Sequence, residues 1–432
     1  MKRLTFFLVI FFLFLPCISA EDRLSNDEAF AEAEPENAAD IEIIIKYEDV
    51  FDDKKKKRLI QERMFEIGFG VGFKFSNDVL SVSEILKKTI YLNLDDLSKG
   101  LELDLGANIP WHLSLNFGKW GIGLFSGLDL SGAAGIHRDI FALNYADNAQ
   151  SDLNASVFAY LGADSFFHIK KFKVKIKPSL FYPLAYVVPV NDKIYYKYTS
   201  DGAAKLEAGY DFRVYTATSM ETFPDFDLSA KPGFDLSAGV EYPLSEAIGL
   251  NKRFPILDFD VGLDFINIPV VPSKMKEYIA VTGKFSFTQQ GTGELSEILK
   301  GDVDSERYIN YRDDGDESVR RAFKMLIWAN WRPFSGSRVF TVTPVIGFSV
   351  NTLFFKAAAV EAGLTARLSL ANLFIVTAGI SYDDRAWRNS LDLGFNFRAF
   401  QFNIGAALRS PDFIGSWTVK GADINLGFKI GW

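Results

Sequence analysis

The chain has 432 residues, a formal net charge of −8 and a single cysteine. A net acidic balance argues against nucleic acid as a partner, because neutralising phosphates requires a basic face. One cysteine excludes a disulfide within the chain and a thiolate metal cluster. The 41 Phe, 16 Tyr and 7 Trp are many for a mean hydropathy of +0.06. That combination is typical of a barrel that exposes aromatic residues to lipid and keeps polar residues inside.

Residues 1–20 have the three parts of a secretory signal peptide: a basic pair, Lys2-Arg3, an apolar stretch at residues 5–16, and the small-residue exit Ile18-Ser19-Ala20. The apolar stretch is shorter than the roughly 20 residues that a membrane-spanning helix needs. We predict cleavage after the exit, with lipidation of Cys17 as the alternative. Cleavage would change the net charge to −10, from 45 basic and 55 acidic residues.

Residues 21–63 differ from the rest of the chain in composition. They begin with the acidic, alanine-rich run EAFAEAEPENAAD, continue as IEIIIKYEDVF and end near DDKKKKR. Low hydrophobicity and high charge in the first run are typical of disorder. We interpret residues 21–63 as a separate amino-terminal segment in the periplasm, and as a plug inside the barrel in the more specific hypothesis.

From residue 64 onward, apolar and polar residues alternate with a period of two, which predicts strands with one apolar and one polar face. The first segment, FEIGFGVGFKF, places Phe65 and Phe75 on the apolar face. The second keeps one register over residues 101–117. This is far longer than the roughly 5–6 residues of a usual globular strand, and it suits a tilted strand that crosses a membrane.

Twelve further segments bring the predicted strands to fourteen. They lie at about residues 120–132, 153–169, 172–186, 234–244, 257–271, 319–333, 340–350, 354–368, 373–382, 387–397, 400–408 and 422–432. Tight connections alternate with longer ones, as periplasmic turns alternate with outer loops in barrels. Residues 194–198 and 204–214 also alternate around a turn signal, and 278–288 raises the same question. We interpret the first pair as a hairpin within an outer loop, with sixteen wall strands as the alternative.

The last thirteen residues, KGADINLGFKIGW, place alternate apolar side chains on one face and end on Trp432. An aromatic residue closing such a strand resembles the carboxy-terminal signal of bacterial outer-membrane β-barrels. The resemblance implies a location in the bacterial outer membrane, contact with outer-membrane lipid, and recognition of this strand by the barrel-assembly machinery. The predicted fold is therefore all-β, a transmembrane antiparallel β-barrel over residues 64–432.

A barrel of about fourteen strands after an amino-terminal segment also resembles the long-chain fatty-acid transporter type of outer-membrane protein. The stretches KPSLFYPLAYVVP and FDVGLDFINIPVVPS resemble, in addition, the large barrels of spirochaetes. These likenesses concern architecture, so no functional residue is carried over from either group.

Charged residues on the predicted inner face fall into acidic and basic groups. Opposed groups would create a field across the lumen that orients polar solutes, as in selective pores. The alternative is that these residues meet water and pair with one another. The candidates are Glu102, Asp104, Asp258, Asp260 and Asp264, with Lys173, Lys175, Lys177, Arg320, Lys324, Arg332 and Arg367.

Two further groups are predicted to face inward. Aromatic residues there would form an apolar binding path or contact a plug: Phe158, Tyr160, Phe166, Phe181 and Trp328. The second group consists of glycines, which would let a plug approach the wall closely or would only allow the barrel wall to curve. They are Gly68, Gly70, Gly72, Gly121 and Gly123. The G-x-G-x-G within this second group lies inside a strand and does not precede a helix, so it is not a dinucleotide-binding loop.

We predict no catalytic residue, metal or cofactor. No two of His112, His137 and His168 have metal-ligand spacing, and the nucleophile-elbow motif G-x-S-x-G does not occur. The DDGDES run at residues 313–318 lacks the spacing of a calcium-binding EF-hand loop.

The predicted function is an outer-membrane channel or transporter for passive uptake of small solutes, including hydrophobic ones. The sequence does not identify the solute. The first alternative is a surface-exposed adhesin that binds through loops 187–233 and 272–318. The less favoured alternative is a barrel enzyme with residues around His137 as its candidate site.

Overall fold

A computed structural model describes residues 63–77, 101–136, 152–189, 195–200, 204–217, 230–254, 256–289, 302–334, 339–350, 358–370, 373–383, 386–397, 399–417 and 420–432. The predicted signal peptide and all of the predicted amino-terminal segment except Arg63 lie outside the described residues. These two assignments therefore remain predictions.

The described strands, in chain order, are β1 (Phe65–Asn77), β2 (Leu101–Asn116), β3 (Trp120–Ile136), β4 (Asp152–Ile169), β5 (Phe172–Pro189), β6 (Tyr195–Ser200), β7 (Ala204–Thr216), β8 (Gly233–Tyr242), β9 (Asp258–Val271), β10 (Ser273–Met275), β11 (Tyr278–Gln289), β12 (Asp302–Arg312), β13 (Glu317–Val319), β14 (Phe323–Arg332), β15 (Phe340–Val350), β16 (Ala359–Leu370), β17 (Phe374–Asp383), β18 (Ala386–Asn396), β19 (Phe400–Ser410) and β20 (Gly421–Gly431). Two short helices, α1 (Leu244–Ala247) and α2 (Leu250–Arg253), lie between β8 and β9. Among the described residues, no helix is both long and apolar enough to cross a membrane.

Fourteen of these strands form a closed antiparallel wall in the order β1-β2-β3-β4-β5-β8-β9-β14-β15-β16-β17-β18-β19-β20. The last strand pairs with the first, with Phe428 opposite Phe69 and Ala422 opposite Phe75. This pairing closes the barrel and confirms the predicted fourteen-strand fold.

The two faces of the wall differ as the alternation predicts. Large apolar side chains are exposed on the outside, including Phe69 at 50% and Leu391 at 51%. Ion pairs such as Arg388–Asp423 lie on the inside. An apolar band facing outward around a polar interior is the pattern of barrels that meet lipid.

The pairing of β1 with β2 is interrupted beside Pro110. The register runs to Phe69 opposite Trp111 and resumes at Gly72 opposite Asn108. Proline has no amide hydrogen to donate to the ladder, which explains the gap.

The extra alternating segments extend the wall beyond its outer rim and do not widen it. Strands β6 and β7 form the predicted hairpin. Strand β7 pairs with the end of β5 and with β11, and β11 pairs with β12. The count of sixteen wall strands is therefore wrong, and the count of fourteen holds.

One predicted strand is shorter than expected. The alternation predicts a wall strand from residue 319, but β14 begins at Phe323. Residues Glu317–Val319 form β13, which pairs with β10 in a separate two-stranded sheet. We call β10 and β13 together the inner ribbon.

Candidate functional site in the lumen

Several of the predicted acidic and basic groups turn out to be neighbours that pair with one another. Arg332 on β14 lies opposite Asp258 on β9 and donates to that carboxylate through Nε at 2.9 Å. Its Nη2 donates to Asp260 at 2.8 Å. The Arg332 guanidinium can neutralise only one of the two carboxylates, so these three residues together keep a net charge of −1.

A second group of paired side chains lies nearer the outer rim, on β9 and β14 and on the neighbouring strands β5 and β8. The indole of Trp328 donates to Asp264 at 2.6 Å. The ammonium of Lys175 lies 5.9 Å from the centre of the Trp328 ring and 3.7 Å from the carboxylate of Glu241. This inner surface of β5, β8, β9 and β14 therefore combines an aromatic ring with one lysine and two carboxylates.

Other candidates are placed as follows. Lys324 pairs with Glu361 at 2.7 Å, Lys173 lies 5.0 Å above the Phe166 ring, and Asp104 pairs with Arg409 at 3.3 Å. Two inward cations, Lys177 and Arg367, are exposed. Glu102 lies in β2 and its side chain is outside the description.

Six inward aromatic rings, four of them predicted apolar candidates, each lie over a glycine on the neighbouring strand. A methyl group added at any of these glycines would overlap the ring. Each pair is also a direct partner in the strand register, so the ring covers backbone that no side chain protects. The pairs are His112 over Gly68, Phe166 over Gly121, Tyr160 over Gly127, Phe125 over Gly162, Phe181 over Gly233 and Trp328 over Gly262.

The predicted plug-contact glycines are thus covered by the barrel's own side chains. Besides Gly68 and Gly121, the space over Gly72 holds the Asn108 side chain and the space over Gly123 holds Asp164. Gly70 has the Pro110 ring 3.2 Å from the position of an added methyl group. A plug would meet these side chains instead of the glycine backbone.

Two of the predicted apolar candidates are buried under the inner ribbon. Phe158 and Phe181 pack edge to face with ring centres 5.9 Å apart. Met275 and Val319 from the inner ribbon belong to the same buried cluster, along with Tyr215. The inner ribbon therefore folds inward at the outer mouth and covers this part of the wall, whereas Tyr160, Phe166 and Trp328 stay partly accessible.

Arg321 fastens the segment between the inner ribbon and β14 to the wall. Its Nε donates to Asp235 at 2.7 Å and its Nη2 donates to Ser179 at 2.6 Å. The guanidinium stacks over the rings of Tyr160 and Phe181 at 5.2 and 5.4 Å. Nearly all of this ion pair is buried, with 9% of the Arg321 side chain and 1% of the Asp235 side chain exposed.

Sequence reasoning named Arg320 and missed Arg321. The structure places Arg320 in the short stretch before β14, where it is exposed. Its predicted inward position assumed that the strand alternation continues back to residue 319. The signal available in the sequence was Asp235, an acidic residue on the inward face of β8. A carboxylate in that position needs a cation nearby, and Arg321 supplies it.

A second charged network lies at the end of the lumen where β1 begins and β20 ends, which is the predicted periplasmic end. Arg63 donates to Glu66 at 3.0 Å, to Asn396 at 3.0 Å and to the Phe397 carbonyl at 3.1 Å. Glu66 also contacts His112 at 2.9 Å and Lys429 at 3.0 Å. A cavity of 280 Å³ beside this network is lined by Arg63, Glu66, Ser114, Leu115, Asn116, Gly121, Ile122, Asp164 and Phe166.

Outside the membrane-spanning strands, two carboxyls have perturbed pKa values: Asp316, the residue just before β13, and Glu317 in the inner ribbon. Lys274 donates to Asp316 at 2.9 Å, and this hydrogen bond holds the pKa of Asp316 below its usual value. Burial instead raises the pKa of Glu317.

Two of the three histidines can be placed. His112 contacts Glu66, and His168 lies 3.1 Å from the Lys119 carbonyl. His137 and the loop around it lie outside the described residues. In the described part of the chain, no group of three or more His, Cys, Asp or Glu side chains is arranged to hold a metal ion.

The closed fourteen-stranded wall with its apolar exterior defines an outer-membrane β-barrel. No family model and no curated protein sequence matches the chain. Among solved structures it is similar to the CymD monoaromatic hydrocarbon channel, at 9% identity over 86% of this chain and 89% of that one, with a TM-score of 0.43. It is also similar to the Pseudomonas putida toluene transporter TodX, at 8% identity over 84% and 88% with a TM-score of 0.39.

A third similar structure is the translocator domain of the autotransporter NalP from Neisseria meningitidis, at 8% identity over 88% of this chain and 92% of that one, with a TM-score of 0.33. With identities this low and TM-scores below 0.5, these similarities assign no function to this chain.

Proposed function

We propose that the protein is an outer-membrane channel through which small solutes diffuse, and that its partly aromatic inner wall admits hydrophobic as well as polar solutes. The observation that carries the proposal is the placement of six inward rings directly over glycines of the neighbouring strands. Rings held against the wall line a pathway without filling it.

Water access is supported by the inward cations. Lys177 on β5 and Arg367 on β16 are exposed although they point away from the lipid side. Fourteen strands also exceed the roughly eight at which side chains fill a barrel, and fall short of the 16–18 of wide aqueous porins. A lumen of intermediate width suits small solutes.

Access for apolar solutes is supported by three partly exposed rings. Tyr160, Phe166 and Trp328 lie on β4 and β14, and the last two each have a lysine ammonium nearby. An aromatic surface with a few fixed polar groups is the usual lining of sites that bind small organic molecules.

Reconstitution into liposomes tests the proposal. The chain from residue 21 and a shorter chain from residue 63, which keeps Arg63, are compared for swelling in sugars of increasing size and for uptake of a fluorescent fatty acid. We expect size-dependent swelling with at least one of the two chains. A difference between them would assign the amino-terminal segment a blocking role.

The proposal fails if neither chain admits sugars and neither takes up the fatty acid. Circular dichroism and the heat-dependent shift of migration in detergent gels provide the folding control, because a misfolded sample would also give no flux.

A surface-binding role is the second candidate, favoured by the strands beyond the rim. In the described part of the chain, β12 pairs only with β11, and exposed Tyr308 and Ile309 lie on it. An edge strand offers unpaired backbone groups to another chain. Deleting residues 187–233 and 278–312 separately, the second deletion sparing the inner ribbon, separates the two roles when conductance and host-ligand binding are both measured. Lost binding at unchanged conductance would favour the adhesin.

A further inference from the structure

The loop between β19 and β20 folds over the outside of the barrel. Its described residues, 411–417, read PDFIGSW and end in a 3₁₀ turn, Gly415–Trp417. We call these seven residues the outer wedge. The outer wedge lies at the rim opposite the chain's carboxy-terminus, because β20 runs from this loop to Trp432.

Two contacts show that the outer wedge packs against the lipid-facing side of the wall. Asn389 donates to the side chain and the carbonyl of Ser416 at 2.8 and 3.3 Å. Asn389 lies two residues before the exposed Leu391 on β18 and so shares its outer face, whereas Arg388 faces inward to Asp423. The contact therefore lies on the outer face.

The aromatic contact points the same way. Phe413 packs edge to face on Trp387, with ring centres 4.9 Å apart. Trp387 in turn contacts Tyr382 at 5.2 Å, on the same outer face of β17. At the outer end of β19, Ser410 is fully buried and accepts a hydrogen bond from the Asp412 amide at 3.3 Å. The outer wedge thus shields two polar side chains, Asn389 and Ser410, that would otherwise face the bilayer.

The backbone of the outer wedge is largely satisfied from within. The Ser416 amide donates to the Asp412 carbonyl at 2.9 Å, and the Trp417 amide donates to the Ile414 carbonyl at 3.1 Å. The Gly415 amide donates to the Asp412 carboxylate at 2.9 Å. The Ser416 hydroxyl donates to the Phe413 carbonyl at 2.6 Å. Internal pairing of this kind is what a segment needs when no water is available to it.

The outer wedge presents apolar side chains to its surroundings. Ile414 is 71% exposed, Trp417 is 59% exposed, and Phe413 is also exposed. The single charged residue of the outer wedge, Asp412, is engaged by the Gly415 amide. This surface is continuous with the lipid-facing band of β18 and β19. Indole rings favour the boundary between lipid and water.

We propose that the outer wedge inserts into the outer leaflet and anchors the barrel through contact with lipid acyl chains. The partner is lipid and not a second copy of the chain, because the exposed apolar surface continues the band that already faces the bilayer.

Site-directed spin labelling tests the proposal. The chain from residue 21 has no cysteine, so Ile414→Cys provides a single labelling site in phosphatidylcholine liposomes. Ile404→Cys, on the outer face of β19, is the lipid reference, and Asp313→Cys, in an exposed outer loop, is the water reference. The measured quantity is the ratio of the label's collision rate with oxygen to its collision rate with a nickel chelate. We expect this ratio to be several-fold higher at position 414 than at position 313, and similarly high at position 404.

An accessibility at position 414 equal to that at position 313 would overturn the proposal. A label at position 414 that neither oxygen nor the nickel chelate reaches, and that becomes accessible when the protein is diluted in lipid, would also overturn the proposal. That result would identify a second copy of the chain as the occupant. As a check without cysteine substitution, brominated lipid should quench less of the tryptophan emission in Trp417→Phe than in the unsubstituted protein. Unchanged quenching would also contradict the proposal.

Discussion

The two sides of the lumen are held in different ways. On the β4–β5–β8 side, the inner ribbon lies over the wall and buries an apolar cluster in which Phe181 is 1% exposed. On the side from β17 to β2, the strands are tied through charges, with Arg409 joined to Asp383 at 3.0 Å and to Asp104 at 3.3 Å. Arg388 and Asp423 add a further pair there at 2.7 Å.

The difference shows how a barrel fixes its interior by two means. Apolar burial fastens a loop at the mouth, because removing those side chains from water is favourable only while the loop stays in place. Ion pairs across strands fasten the wall itself and leave its surface polar. Changes on the first side should therefore alter the pathway, and changes on the second should alter stability alone.

The largest effect is expected from Arg321→Met. This change leaves Asp235 buried without its cation, which typically costs about 3–5 kcal/mol. The inner ribbon should detach, so that conductance in planar bilayers rises while the midpoint of urea unfolding falls. The neighbouring change Arg320→Met is the matched control and should leave both unchanged, because Arg320 is exposed. Adding Asp235→Asn to Arg321→Met should recover part of the lost stability. An unaltered conductance in Arg321→Met would show that the inner ribbon does not limit the pathway.

A smaller effect is expected from Arg409→Met on the opposite side. Its partners are partly exposed, Asp104 at 25% and Asp383 at 34%, so their carboxylates can recover hydrogen bonds from lumen water. The cost should be about 1–3 kcal/mol, in the range for a lost partner of a buried polar group. Urea unfolding should shift by that amount, with conductance unchanged. A rise in conductance like that of Arg321→Met would remove the distinction between the two sides.

The sequence predicts one of these sides better than the other. The strand count and the inward position of Arg332 follow from the period-two pattern, which is local and persists along each strand. The inner ribbon does not follow from it, because the burial of Val319 and Met275 depends on packing between residues far apart in the chain.

The glycine–aromatic pairs were missed for a related reason. The tight turn after β2 fixes the register of β2 and β3, but the long connection after β3 leaves the position of Tyr160 opposite Gly127 undetermined. The glycines and the rings could be read from the sequence, whereas their pairing required the register.

Gly262→Ala tests that pairing on the side of the inner ribbon. An added methyl group would overlap the Trp328 ring, and overpacking typically costs about 1–3 kcal/mol. Displacing the ring should also weaken its hydrogen bond to Asp264 and push the indole into the lumen, so conductance should fall slightly. Gly135→Ala on β3 is the matched control, since an added methyl group there meets no atom within 4 Å. Equal effects of the two changes would contradict a packing role for the rings.

The smallest effect is expected from Asp316→Asn, which removes the surface ion pair of the inner ribbon while leaving its buried side chains in place. Lys274 lowers the pKa of Asp316. The contribution of this pair is therefore present above the ordinary pKa of an aspartate and is lost only as the pH falls through the lower folded value. Because exposed ion pairs contribute little, conductance and the unfolding midpoint at neutral pH should match those of the unsubstituted protein. An effect as large as that of Arg321→Met would mean that charge, and not apolar burial with a buried arginine, holds the ribbon at the mouth.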